Sequence, residues 1–463
     1  MDILNLDEYK LLKVEESEHD YALQVQTKKP YFACPSCFEV AKIRRFGTLS
    51  VIYMDLPVHG KRVGIHIERQ RYQCKACGKT YFETLPQMDE RRQCTKRLIK
   101  YISNKALTHT FTSIASDVGM NETTVRHIFN DYIAILDKQY KVETPRWLGI
   151  DEIHLIRPRC VLTNVEKNTV VDLLDNRDKK KVVNYLTRLP DRQRVELVAI
   201  DMWRPYKDAV AFCLPQAQVV IDKYHVVRMA NESLDKVRKA LRDELTPKER
   251  RGLKKDRYVL LKRKRDLDVK EQIYLQAWCE QFPVLKIAYE LKENFYAIWE
   301  QPTKTTSAEA KALYDEWVKQ VQPDVAEHFL PLITAFDNWH PEIFAYFDSP
   351  VTNAYTESLN SLIRVADRVG RGYTFEVLRA KMLYTYGTQK VEKPAYNRNA
   401  FKASEKVSEF PTMPFTTDAM TSNKRTPLFK AKRYGSNPEK LLVALENLNS
   451  LKLTDESDQH GEE

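Results

Sequence analysis

The sequence predicts a multidomain α/β protein, and three features of its 463 residues predict it. Two Cys-x-x-Cys pairs bracket a strand-patterned N-terminal region. A stretch from 95 to about 140 has helical periodicity and almost no strand signal. From Trp147 onward, three consecutive strands give way to alternating helix and strand. So long a chain exceeds one typical domain. The expected order is 1–94, 95–145, 146–228, a charged helical 229–345, 346–390 packed back on the earlier strands, and a basic, polar tail over 391–463. That tail is rich in Lys, Ser, Thr, Asn and Pro, a composition suited to a flexible C-terminal segment.

Composition narrows the class. With 43% hydrophobic and 30% charged residues, the chain can build sizeable cores. Lys and Arg outnumber Asp and Glu by 74 to 64, a formal charge of +10 that favours a polyanionic partner through counterion release. Met1–Lys10 carries acidic residues and no apolar run, unlike a signal peptide. No stretch approaches the ~18–20 apolar residues that span a bilayer. Eight cysteines are too sparse for a disulfide scaffold, and four of them sit in tight pairs. Metal binding in a reducing, cytoplasmic compartment follows.

Taking the elements in order, Cys34-Pro-Ser-Cys37 and Cys74-Lys-Ala-Cys77 supply the four thiolates of a closed tetrahedral zinc site. Gly78 lets the second turn adopt a positive φ. The residues between the pairs read as strands, as in Val51-Ile-Tyr-Met and Arg62-Val-Gly-Ile-His-Ile, so an N-terminal zinc ribbon with structural Zn2+ is expected. Cys94, Cys160, Cys213 and Cys279 stand alone and read as ordinary thiols.

Phe111 to Phe129 fits a helix-turn-helix. Small Ala115 lies where two helices would approach, and Gly119 comes four residues later, at the turn. Ile114, Val118, Val125 and Ile128 have core spacing, and Asn121 can cap the second helix. That helix would present Thr123, Thr124, Arg126, His127 and Asn130 to a DNA major groove.

The strand Trp147-Leu-Gly-Ile-Asp151 has an acid in its middle. Strands over Cys160–Asn164 and Thr169–Leu174 follow, then a helix over Lys179–Leu189. Val195–Asp201 is an apolar strand ending in an acid, and Ala217–Asp222 repeats the pattern after another helix. This is the strand order of a ribonuclease H-like fold, in which the first and fourth strands lie side by side, about 4.8 Å apart. Asp151 and Asp201 would then face one another and repel unless a cation intervenes. Two Mg2+ ions (or Mn2+) in such a site would activate a hydroxyl and stabilise the leaving oxygen of a phosphodiester. Glu357, on a helix over Tyr355–Val365, is the candidate third acid. Asp222 is the rival for Asp201, and Glu152 the rival for Asp151. Between these acids, Lys248–Lys270 carries eleven Lys or Arg and four acids. It reads either as a phosphate-tracking segment or as a solvated helix face.

These residues together resemble the ISL-three family of bacterial insertion-sequence transposases, from the zinc ribbon to about residue 388. The resemblance rests on Tyr72-Gln-Cys-Lys-Ala-Cys-Gly, Leu148-Gly-Ile-Asp-Glu, Ala199-Ile-Asp, Ile221-Asp-Lys-Tyr-His-Val-Val-Arg228, Thr352-Asn-Ala-Tyr-Thr-Glu-Ser-Leu-Asn360 and Val369-Gly-Arg-Gly-Tyr373. It implies a DDE catalytic domain with Asp151, Asp201 and Glu357 as its acids, interrupted by a helical insertion between Asp222 and Glu357. It also implies supporting roles for Asp222, His225, Asn353 and Asn360. The chain departs from the family at Ala354 and Ser358, where glycines are frequent, and at Arg364, where lysine is frequent. These changes leave the carboxylate in place.

The expected function is that of a transposase that binds terminal inverted repeats, hydrolyses the transposon ends and joins them to target DNA. It would act as a homodimer in a synaptic complex and associate with the nucleoid when bound to DNA. The alternatives are a DNA-binding regulator with a vestigial nuclease domain, or a nuclease that does not join strands.

Overall fold

The computed structural model describes residues 6–28, 33–300 and 305–391; the expected tail, apart from Val391, lies outside them. The N-terminal sheet contains β1 (Tyr9–Glu16), β2 (Asp20–Thr27), β3 (Ile43–Val58), β4 (Lys61–Cys74), β5 (Thr80–Phe82), β6 (Met88–Asp89) and β7 (Cys94–Thr95). The order is β1-β2-β4-β3-β7-β6, with β5 on β4. Its core alternates as a half-buried sheet must: Val63, Ile65 and Ile67 point inward from β4 to meet Leu23, Val25 and Tyr53. β3 and β4, at 16 and 14 residues, are longer than the short strands expected. They can run so far because His59 and Gly60 both take positive φ, the two-residue turn that matches strand twist.

Three helices follow: α1 (Lys96–Lys105), α2 (Phe111–Val118) and α3 (Glu122–Gln139). Threonine hydroxyls cap the first two, Thr95 accepting from Leu98 N and Thr110 from Ser113 N. The Asn121 side chain caps α3 at Thr123 N, 2.8 Å. Gly119 ends α2 with φ 69°, and a Cβ there would come within 2.9 Å of Met54 Cε and 3.1 Å of Arg62 Cδ. The turn thus needs glycine both for its backbone and for its fit against the β3–β4 hairpin. Asp55 of β3 ties in the start of α1, accepting from Thr95 Oγ1 at 2.6 Å and from Arg97 Nε at 2.8 Å.

The second sheet has the expected connectivity. β8 (Trp147–His154), β9 (Pro158–Asn164) and β10 (Thr169–Leu174) are consecutive antiparallel strands. After α4 (Lys179–Thr187) comes β11 (Leu197–Ile200), and after α5 (Arg204–Cys213) comes β12 (Gln218–Ile221). The order is β10-β9-β8-β11-β12, with β11 parallel to both β8 and β12. The first and fourth strands are neighbours, as the fold reading requires.

The helical insertion grows directly from α6 (Lys223–Ala240) and continues through α7 (Pro247–Lys255), α8 (Arg257–Leu261), α9 (Val269–Gln281), α10 (Pro283–Trp299), α11 (Ser307–Lys319) and α12 (Pro323–Asp348). Pro247, Pro283 and Pro323 stand at the first turn of their helices, where a missing N–H costs nothing. Phe295, Trp317, Phe329 and Phe336 fill its interior. Two helices then return to the sheet: α13 (Ala354–Gly370), against β8 and β9, and α14 (Phe375–Tyr386), against β10 and α3.

Candidate active site and nucleic-acid interface

The zinc knuckles meet because β3 and β4 pair antiparallel with Ile43 opposite Cys74. The four sulfurs of Cys34, Cys37, Cys74 and Cys77 all lie within 4.8 Å of one another, and the Cys34–Cys77 and Cys37–Cys74 pairs are 3.6 Å apart. A tetrahedral zinc with bonds of about 2.3 Å has sulfur edges of roughly 3.8 Å. The cluster fits structural zinc. Both knuckles carry a positive φ just after the second cysteine, at Gly78 as expected and also at Phe38.

In α3, Thr123, His127 and Asn130 are exposed and Thr124 is half-buried. Arg126 is also half-buried. Its guanidinium donates to Glu122 at 2.8 Å and lies 5.3 Å from the centre of the Phe111 ring. The opposite face packs on α1 and α2 through Val125, Ile128 and Phe129.

Strand register builds the carboxylate site. Ile150 pairs with Ile200, and Ile200 with Ile221. The next residues, Asp151 within β8 and Asp201 and Asp222 just past β11 and β12, therefore stand in register across three adjacent parallel strands. Asp151 is buried; its Oδ1 accepts from Glu152 N and its Oδ2 from Asn360 Nδ2, each at 2.8 Å. Burial, reinforced by the charges of Asp201, Glu357 and Asp222, pushes its carboxyl up to about 7. Burial and nearby Glu152 push Asp201 up to about 6. Its Oδ1 is buried with no hydrogen-bond partner.

The two rivals are occupied otherwise. Asp222 caps α6, with Oδ1 accepting from Tyr224 N at 3.2 Å and Oδ2 from Asn353 N at 3.1 Å. Glu152 is paired with Arg177, whose guanidinium also stacks 4.7 Å from the Trp203 ring centre.

Glu357 sits in the first turn of α13 and faces His225 in the first turn of α6, with 3.5 Å between Oε1 and Nε2. Burial and the Asp222 charge raise the Glu357 carboxyl, while burial lowers the His225 imidazole. α13 is held on β8 by a polar seam. Thr163 Oγ1 and Thr356 Oγ1 are 2.7 Å apart, Thr356 donates to Asn353 Oδ1, and Asn353 Nδ2 reaches Ile150 O at 3.5 Å. Gly149 makes this approach possible, since a Cβ there would lie 2.4 Å from Thr163 Oγ1 and 2.5 Å from Asn353 Oδ1. The seam residues Thr163, Thr356 and Gly149 escape sequence reading, as do Arg177 and Trp203. Leu148-Gly-Ile-Asp was the available signal for Gly149.

Among the described residues, only the cysteines bring three or more metal-binding atoms within 4.8 Å of one another. Carboxyls raised by burial and by neighbouring acids, one of them with an orphaned oxygen, suit a hard divalent cation.

In the basic segment Lys248–Lys270, four cations are paired with acids of the insertion. Arg257 pairs with Asp235 at 3.0 Å, Arg263 with Glu293 at 3.1 Å, Arg265 with Glu300 at 3.1 Å, and Lys262 with Glu271. Lys248, Lys254 and Lys255 are exposed on α7. No helix among the described residues is long and apolar enough to cross a membrane.

Comparison with known proteins covers the same three regions. Residues 148–382 match a family model described as a transposase, of the DDE type. Residues 83–133 match the helix-turn-helix domain of transposase family ISL3, and residues 30–77 the zinc finger of the IS204/IS1001/IS1096/IS1165 transposases. The transposase for insertion sequence element IS1001 of Bordetella parapertussis is 25% identical over 337 residues, covering 69% of this chain and 80% of that protein. The transposase for insertion sequence element IS1557 of Mycobacterium tuberculosis is 27% identical over 256 residues, 49% of this chain and 57% of its own length.

Proposed function

Because the chain belongs to the ISL3 family of transposases and is a DNA-binding enzyme of the DDE type, we propose that Asp151, Asp201 and Glu357 are its catalytic acids. The observation that carries this assignment is the contrast among the candidates. Asp201 keeps a buried oxygen without a partner while both oxygens of its rival Asp222 accept from backbone amides, and Glu152, the rival of Asp151, is held in an ion pair with Arg177. Two Mg2+ or Mn2+ ions held by the three acids would lower the pKa of an attacking hydroxyl and stabilise the leaving oxygen.

The protein's own groups orient these acids. Asn360 aims Asp151, His225 faces Glu357, and Asp222 with Asn353 fixes the start of α13 beside the strand ends. Water attacks a phosphodiester at the element's end and the P–O3′ bond breaks. The freed 3′-hydroxyl then attacks a target phosphodiester in line and releases its 3′-oxygen. No bond to the enzyme forms. Terminal inverted repeats are read through Thr123, Thr124, His127 and Asn130 on α3, with Arg126 set at the edge of that face by Glu122 and Phe111. The zinc ribbon adds backbone contacts, and the exposed lysines of α7 serve flanking or target DNA. Two ends need two active sites, which supports a homodimer in a synaptic complex, working on DNA at the nucleoid.

An assay with duplexes carrying the element's end tests this reading. In Mg2+ or Mn2+ the chain is expected to cut at the end and to join a 3′-hydroxyl end to a second duplex. Asp151→Asn is expected to bind the end normally and to lose cutting by at least about a thousandfold, roughly 4 kcal/mol of transition-state stabilisation. Cutting without joining would make it a nuclease, and binding without either would make it a regulator.

A further inference from the structure

Beside the carboxylates, the first turns of α6 and α13 enclose a cavity of about 400 Å3. Tyr224 and Val227 wall it on one side and Thr352 and Ala354 on the other, with Asp222 and Glu357 at its edge. Two features distinguish it from a gap between helices. Its surface is mostly apolar, and its cation, Lys223, is offset by Asp222 and Glu357, so it favours an uncharged group over a second phosphate. And Tyr224, at 50% exposure, presents a large, half-covered ring to the cavity. The ring stands edge-on to His225, with centroids 5.7 Å apart and planes at 81°, which leaves its faces free of that neighbour.

An uncharged, flat heterocycle suits such a space, because every base has a π-face that stacks on an aromatic side chain whatever its sequence. The DNA supplies one. A phosphodiester held at Glu357 carries a nucleoside on each side, within a few ångströms of the cavity mouth. We propose that this cavity receives the base of a nucleotide adjoining the scissile phosphate, unpaired from its complement and stacked on Tyr224. Drawing that base aside frees the phosphate from the duplex and fixes it against the acids. The inference rests on Glu357 being part of the cutting site.

The test compares the full-length chain with Tyr224→Ala and Tyr224→Phe on two end duplexes. One is fully paired, and the other carries mismatches opposite the nucleotides flanking the cut, which removes the cost of unpairing. Tyr224→Ala is expected to cut the paired duplex about tenfold to a hundredfold more slowly and to recover most of that loss on the mismatched one. Tyr224→Phe keeps the stacking face and is expected to cut as the natural chain does. Cutting by Tyr224→Ala at the natural rate would overturn the proposal, and so would an equal loss on both duplexes, the result if the cavity instead packs a partner side chain. Asp151→Asn run in parallel separates the two levels. If it cuts, the site assignment itself fails; if it is silent while Tyr224→Ala cuts normally, only the base pocket fails.

Discussion

At the seam where α14 meets the helix-turn-helix, buried charges are offset by opposite charges and carbonyls, whereas within β8 and just past β11 two neighbouring acids, Asp151 and Asp201, are withdrawn from water with no ion pair of their own among the described residues. In the seam, Arg379 donates to Asp172 of β10 at 2.6 and 3.0 Å and to Asp137 of α3 at 3.2 Å. Lys381, nearly inaccessible, donates to the carbonyls of Ala106 and His109 at the end of α1. Its ammonium lies 4.9 to 5.5 Å from the ring centres of Tyr373, Phe111 and Phe129. In the site, Asp151 and Asp201 are pushed up, and Asp201 Oδ1 and His225 Nε2 lack hydrogen-bond partners. Balanced burial fastens the DNA-reading helices to the catalytic sheet. Unbalanced burial holds free energy that an incoming cation can release.

Substitution should therefore act in opposite directions in the two regions. Arg379→Leu strands the buried Asp172 carboxylate and is expected to cost about 3–5 kcal/mol, read as an earlier urea unfolding transition. Asp201→Asn removes a repelling charge and is expected to leave metal-free stability unchanged or higher while abolishing cutting. An Arg379→Leu chain as stable as the natural one would erase the distinction.

Metal and pH give the next largest contrast. Asp151 and Asp201 titrate near 7 and 6 in the folded chain, above the ordinary carboxyl value of about 4. Between those limits the native state holds protons that the unfolded chain has lost. Their contribution to metal-free stability is thus full below about pH 4 and declines as the pH rises toward 7. A divalent ion must displace the same protons. Mn2+ is expected to raise the melting temperature little at pH 5 and by on the order of 5 °C at pH 7.5 when saturating. Thermal melts across that range check the sign, and a gain that shrinks as pH rises would contradict it.

The same comparison explains what the sequence reveals. Strand alternation and the acids within or just past strands are local signals, so the sheet order and the helix-turn-helix are legible from residue type and spacing, and Asp151 and Asp201 stand out as neighbouring acids. Lys381 and Arg379 are not. A lysine or arginine on a helix reads as solvated, and their partners lie 207 to 275 residues away. Asp222 and Asp201 look alike as acids after apolar strands. What separates them is that Asp222 caps α6 and takes the Asn353 amide, a contact across 131 residues. The lengths of β3 and β4 escape for a related reason: the turn at His59-Gly60 is set by φ values that histidine does not announce.

Gly149 has both a structural reason for being small and a functional consequence if it is not. A Cβ there would meet Thr163 Oγ1, Asn353 Oδ1 and Thr356 Oγ1 at 2.4 to 2.9 Å, all within the buried seam that seats α13. None of the three can retreat freely, since Thr163 and Thr356 bond each other and Asn353 binds Asp222 through its own amide. Overpacking of this kind costs about 1–3 kcal/mol, so Gly149→Ala is expected to fold with a modest loss of stability. The strain falls on the turn that carries Glu357, four residues past Asn353 and bonded to it through the backbone at 3.0 Å. Cutting should therefore fall more than folding does, by about tenfold or more at temperatures where the variant is fully folded. End binding should be unchanged, because α3 takes no part in the polar seam between α13 and β8. A variant that loses stability yet cuts at the natural rate would show that the position of α13 is not what aligns the third acid.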